Sequence, residues 1–290
     1  MSDFLEMVID PKEKDLGDGF VVRRSIPQVK KRMIGPFIFW DHMGPAVIQG
    51  EKKMKVRAHP HIGLSTITYL FSGEILHRDN LMNEQVIRPG EVNWMTAGSG
   101  IVHSERAESI NEPMLVEGLQ VWIALPKEAE DVSPSFVHHK EKNLPMISEE
   151  GLRLRVVAGE WEGEKSPLPV YSAMFYLSGW AKSEKKYSKV LSENQEAALY
   201  LVNGSVEVDG KNYGKHSMLV FKKGSKIEFK ALEELEFMIF GGEPFSETRH
   251  IWWNFVSSDK EKIEAAKKKW KDQRYQPVIN ETEYIPLPSE

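Results

Sequence analysis

From Arg57 to Leu125 the chain reads as strand after strand, separated by turn residues at short intervals, which is the pattern of an all-β barrel or sandwich. Leu64, Thr66, Thr68 and Leu70 alternate with Ser65, Ile67, Tyr69 and Phe71, a run rich in β-branched and aromatic residues, before Ser72-Gly73 turns the chain. RPGEVNWMTAGSG supplies a Pro-Gly turn, the apolar strand VNWM and two close glycines that bend the chain into a new strand at His103. Upstream, VIDPKEKDLGDGFVVRRSIP predicts two short strands around a glycine turn, and MIGPFIFWDHMGPA an apolar strand closed by Gly-Pro. GLQVWIALP ends a strand at Pro126. The charged stretch from Lys127 to Glu150 then predicts a connector running over the surface.

A second all-β unit begins near Gly151 with LRLRVVAGEW, VYSAMFYLSGW and AALYLVNGSVEVDG, where Asn203-Gly204 between two alternating runs predicts a hairpin. SSDKEKIEAAKKKW, from Ser257 to Trp270, opens on capping residues and spaces Ile263, Ala266 and Trp270 as one helical face. The expected division is a domain over 1–130, a connector over 131–150, a second domain over 151–256, and a helix and tail over 257–290.

At 290 residues the chain can bury two medium cores. It holds no apolar run long enough to span a bilayer and no charged-then-apolar leader, so a cytoplasmic protein without membrane contact is expected. The absence of cysteine excludes disulfides, thiolate catalysis and sulfur-ligated metals. A net charge of -5 without a substantial basic block gives no footprint for direct nucleic-acid binding.

The candidate chemistry lies in two short pairs, His59 and His61 in HPH and His103 and Glu105 in HSE. Residues two apart on a strand share a face, so if the two strands are neighbours, three imidazoles and a carboxylate converge. Pro60, which cannot donate to a ladder, suits a strand end or edge there. Such a set suits one divalent transition metal and leaves an octahedral ion two positions for substrate and O2 or water. The ligands alone do not choose among Fe2+, Mn2+, Co2+, Ni2+, Cu2+ and Zn2+. The second unit lacks both pairs and has His216 as its only barrel histidine, so it reads as a structural partner without metal ligands.

The strings HPHIGLSTITYLFSG, HRDN, RPGEVNWMTAGSGIVHSE and, later, WWNFVS resemble the pirin family, a bicupin branch of the cupin superfamily. The resemblance implies two cupin barrels, double-stranded β-helices of the jelly-roll kind, with a short C-terminal helix. It assigns His59, His61, His103 and Glu105 as ligands of an iron-type metal, most simply Fe2+. It also implies a quercetin 2,3-dioxygenase type of reaction, O2-dependent opening of a flavonol ring, with an aromatic substrate and with Glu105 as ligand and proton acceptor. A second implication, of a different class, is a metal- and redox-sensing module that binds a protein partner and regulates transcription or a metabolic enzyme. A metal-dependent isomerase is the third. Many cupins carry a glutamate where this chain has Ser65, which bears on the pocket lining and not on the ligand set.

Other polar and aromatic residues have two readings each. His42 fits the mouth of a pocket or a structural hydrogen bond equally well. His77 and Asp79 point the same way along a strand and suit either an orienting partner for a ligand imidazole or a solvent-facing pair. Phe39, Trp40, Trp94 and Met95 fit the core or a pocket wall, and His138, His139 and His250 read as surface or structural residues.

Overall fold

The structure is a computed structural model that describes residues 4–15 and 20–288. Strands make up 54% of the described residues and the one α-helix among them is short, so the protein is all-β, built from two cupin domains. The chain divides into two compact units that are interleaved in sequence, one taking residues 1–12, 25–38 and 142–245 and the other 13–24, 39–141 and 246–290. The helix and the residues after it therefore belong with the unit that contains both histidine pairs.

That unit has two antiparallel sheets. One runs, strand by neighbouring strand, through Ser135–His139, Val92–Thr96, Leu64–Ser72, Met114–Ala124, Phe37–Ile48, Val21–Ile26 and Lys12–Asp15. The other runs through Met54–His61, Ile101–Ala107, Ile75–Asp79 and Glu84–Ile87. Val22, Met43, Met54, Leu70, Ile75, Ile87 and Val116 form one apolar cluster. Burying side chains of this size supplies roughly 1.5–3 kcal/mol each, the main force holding such a sandwich together. Gly63 allows the tight passage from Met54–His61 to Leu64–Ser72, with φ +68° and a Cβ position that would lie 1.9 Å from the Val256 carbonyl oxygen.

The connector departs from expectation. Its Ser135–His139 stretch is half-buried and pairs with Val92–Thr96 as the edge strand of the larger sheet, and His138 Nδ1 lies 2.8 Å from the Asn93 side-chain oxygen. A charged composition hid this strand because an edge strand need bury only one face.

In the other unit, an eight-stranded sheet is built on Glu196–Asn203, Leu235–Gly242, Met174–Ala181 and Leu152–Trp161. A four-stranded sheet holds Lys186–Val190, Lys226–Ala231, Val206–Val208 and Lys211–Tyr213. Its interior is filled by Leu199, Leu201, Phe221, Phe229, Phe237 and Ile239. The expected Asn203-Gly204 hairpin is not formed. Glu196–Asn203 and Val206–Val208 sit in different sheets, and the hairpin closes one turn later, at Asp209-Gly210, between Val206–Val208 and Lys211–Tyr213. An Asn-Gly pair permits a crossover between sheets as readily as a hairpin, because both need only the positive φ that Gly204 adopts.

The helix spans Lys260–Lys271, with Asp259 as its cap accepting from the Glu261 N–H, and buries Ile263, Ala266 and Trp270. No helix among the described residues is long and apolar enough to cross a membrane.

Candidate metal centre

Met54–His61 and Ile101–Ala107 are antiparallel neighbours, with His103 directly opposite His59 and Ile101 opposite His61. Opposed residues share a face of the sheet, so the two sequence pairs face one space. Beyond His59 the register shifts, because Glu105 pairs with Val56. Arg57 and Ala58 thus stand against Ser104 as a bulge, a device that re-aims side chains beside sites. On the other side His103 pairs with Asp79 and Glu105 with His77.

The ligand nitrogens of His59, His61 and His103 lie within 4.8 Å of one another, and Nε2 of His61 is 3.1 Å from Nε2 of His103. The Nδ1 partners fix the tautomers. His59 Nδ1 donates to the Arg57 carbonyl at 2.8 Å, inside the bulge, and His61 Nδ1 donates to the Asn254 carbonyl at 3.1 Å. His103 Nδ1 lies 3.4 Å from His77 Nδ1, and His77 Nε2 lies 3.1 Å from Asp79 Oδ2. A carboxylate only accepts, so His77 donates to Asp79 from Nε2 and leaves its Nδ1 to accept from His103.

Asp79 is itself fixed by the N–H groups of Leu81 and Asn83 and by the Asn83 amide. Burial pushes its carboxyl up, but the donors from His77 and Asn83 outweigh that and hold it below the usual range. Phe136 stacks on the His77 ring at 4.3 Å and 12°.

All three ligand candidates therefore present an Nε2 lone pair to one point. Burial lowers their basicity, taking His59 to about 4 and His61 and His103 well below the ordinary imidazole value, with neighbouring imidazoles adding to the effect. They are neutral near neutral pH, the state that metal ligation requires. Lone pairs facing each other across 3.1 Å repel unless a proton or a cation lies between them, and a divalent transition metal fits this donor set.

Glu105 is buried on the same face, and burial raises its carboxyl above the usual value, offset by His77 and by Thr68, whose hydroxyl is 3.3 Å away. Its carboxylate stands apart from the tight group of nitrogens but lines the same cavity.

That cavity has a volume of about 670 Å³, ample for a small aromatic ligand. One wall is an aromatic layer, with Phe39 stacked on Trp122 at 3.9 Å and 11° and Trp122 edge-on to His61 at 5.0 Å. Arg24 lies over the outer face of Phe39 and forms a two-pronged ion pair with Asp41 at 2.8 and 2.7 Å. Gln120, Arg57, Trp253 and Ile285 also line it.

The structure thus brings together His59, His61 and His103, with Glu105 on the cavity wall and His77 and Asp79 behind His103. His42 and Ser65 do not line the cavity: buried His42 faces Glu117 at 3.1 Å, and the Ser65 hydroxyl faces Thr96. Of the aromatic candidates, Phe39 is wall, whereas Trp40 and Trp94 are fully buried in the core. Sequence reasoning missed Trp122, Gln120, the Asn254 carbonyl and the residues around Ile285. Only the strand alternation of GLQVWIA carried a hint of the first two.

Comparison with known proteins agrees with the architecture. The Pirin family profile matches residues 19–123 and the Pirin C-terminal cupin domain profile matches residues 176–276. A pirin-like protein of Caulobacter vibrioides is 49% identical, with 98% of this chain and 99% of that one aligned. A crystal structure of quercetin 2,3-dioxygenase from Acinetobacter baumannii superposes with a TM-score of 0.91 at 30% identity, covering 98% of this chain and 95% of that one. The structure of a bacterial pirin from Escherichia coli in complex with nickel(II) shares the fold, with a TM-score of 0.67 at 18% identity over 82% of this chain and 99% of that one. Two cupin profiles in order and a relative aligned over nearly the whole length place this chain in the pirin family.

Proposed function

We propose that this chain is a cytoplasmic metal-dependent dioxygenase that opens the ring of a flavonol such as quercetin with O2, using one divalent metal, Fe2+, held by His59, His61, His103 and Glu105. The observation that carries the reading is the convergence of three neutral imidazoles, each with Nδ1 engaged and Nε2 free, on the floor of a cavity with a flat aromatic wall. The dioxygenase named among the structural neighbours supports the choice of chemistry.

When bound, the metal supplies a Lewis acid for a substrate oxygen and a redox partner for O2. The rest falls to the protein. The Phe39 and Trp122 layer offers a face on which a planar ring stacks. Glu105 takes the proton of the flavonol 3-hydroxyl, because its carboxylate lines the cavity on the same face as the three imidazoles. Thr68 and Gln120, 2.9 Å apart, hold the carboxylate side of the cavity. Burial of His59, His61, His103 and Glu105 limits the access of bulk water to the reacting end of the ring. Both atoms of O2 enter the opened product and one ring carbon leaves as carbon monoxide.

The test is O2 uptake and carbon monoxide release by iron-loaded protein given quercetin. Turnover abolished by His103→Ala supports the reading. Absence of turnover in fully loaded wild-type protein overturns it and favours a metal-dependent binding module.

A further inference from the structure

The stretch from Val278 to Ile285 forms no helix and no regular strand, yet it is pinned at almost every residue. The Asn280 amide donates to Glu84 at 3.1 Å. Glu281 receives Arg106 from both Nε and a terminal guanidinium nitrogen at 3.0 and 2.5 Å, with the two side chains only 4% and 10% exposed. Ala58, in the bulge, donates to the Glu283 carbonyl at 3.2 Å and accepts from the Ile285 N–H at 2.8 Å. Trp270 Nε1 donates to the Ile285 carbonyl at 3.0 Å. Tyr284 makes a parallel bridge to Ala58 and lies edge-on to Trp270 at 5.8 Å.

This segment therefore adds itself to the exposed edge of the strand that carries His59 and His61. A period of two along extended chain separates Tyr284 from its neighbours, and Glu283 and Ile285 face the metal cavity, whose lining includes both. Half-buried Ile285 is the apolar member that this segment contributes, in a cavity whose apolar lining also includes the Phe39 and Trp122 layer, Val56 and Trp253.

Resting on the proposed dioxygenase reading, we infer that Ile285 is a specificity-determining residue of the cavity. It supplies the apolar contact to the part of a flavonol that extends beyond the ring held at the metal, and the segment 281–285 exists in this ordered form to carry it there. A catechol, a single ring that also chelates a metal through two adjacent oxygens, is too short to use that contact.

The experiment measures binding of quercetin and of catechol to zinc-loaded protein, which cannot turn over, by quenching of tryptophan fluorescence, with zinc content checked by elemental analysis. Ile285→Ala is expected to weaken quercetin roughly fivefold, the effect of losing part of one buried aliphatic side chain, and to leave catechol unchanged. Ile285→Trp, which narrows the same wall, is expected to shift the quercetin-to-catechol affinity ratio in the same direction. A ratio unchanged in both variants, or equal losses for both ligands, overturns the assignment of Ile285 and leaves the dioxygenase reading standing. Wild-type protein that binds zinc and not quercetin overturns both.

Discussion

Acidification of the metal-free protein should unfold it through its ligand imidazoles, and His59 allows the magnitude to be worked. Its folded-state pKa is pushed from 6.5 to about 4, first by burial and then by the charge of His77, against the Arg57 carbonyl that opposes the shift. A folded pKa below the unfolded one means that the unfolded chain binds more protons between those values, so stability falls as pH falls through that window. Integrating from about pH 7.5 to about pH 5, His59 alone removes about 2 kcal/mol. His61 and His103 shift in the same direction and add to it. The assay is urea unfolding in chelator at both pH values for wild type and for His59→Gln, which removes the titrating group. Wild type should lose about 2 kcal/mol more than the variant between the two conditions. Equal losses would refute the claim that His59 is buried and neutral in the folded protein.

Three other outcomes follow from the same geometry. His77→Ala removes the acceptor that orients His103, and metal affinity measured by chelator competition should fall about 10–100-fold while far-ultraviolet circular dichroism is unchanged. Glu105→Gln keeps an oxygen at the cavity but removes the base, so kcat for quercetin should fall by roughly 10²-fold or more, and quercetin should still quench the zinc-loaded protein. Gly63→Ala places a Cβ against the Val256 carbonyl at a positive φ, and should cost about 2 kcal/mol or more in denaturant unfolding.

The convergence of His59, His61 and His103 was legible in the sequence because its logic is local. Alternation on a strand puts His59 with His61 and His103 with Glu105, and the turn signals around them fix where those strands begin. What completes the centre is not local. The carbonyl that orients His61 belongs to Asn254, Phe136 covers His77 from a connector strand masked by charge, and Ile285 reaches the cavity by pairing with Ala58. Each of these depends on which strands meet, and pairing across such separations leaves no periodic mark on either partner. The bulge at Arg57 and Ala58 is likewise invisible beforehand, since neither residue is a glycine or proline. The misplaced hairpin has a related cause: Asn203-Gly204 and Asp209-Gly210 both permit a turn, and only the sheet partners available to Val206–Val208 select between them.

If three imidazoles and Glu105 hold a single metal ion, as proposed, metal content measures it directly. Elemental analysis of protein purified without added metal, then reloaded with Fe2+ and desalted, should give about one equivalent per chain for wild type and almost none for His61→Ala. The variant should keep a cooperative thermal transition, because apolar burial carries the fold. One equivalent of metal retained by His61→Ala, or none taken up by wild type, would contradict the account.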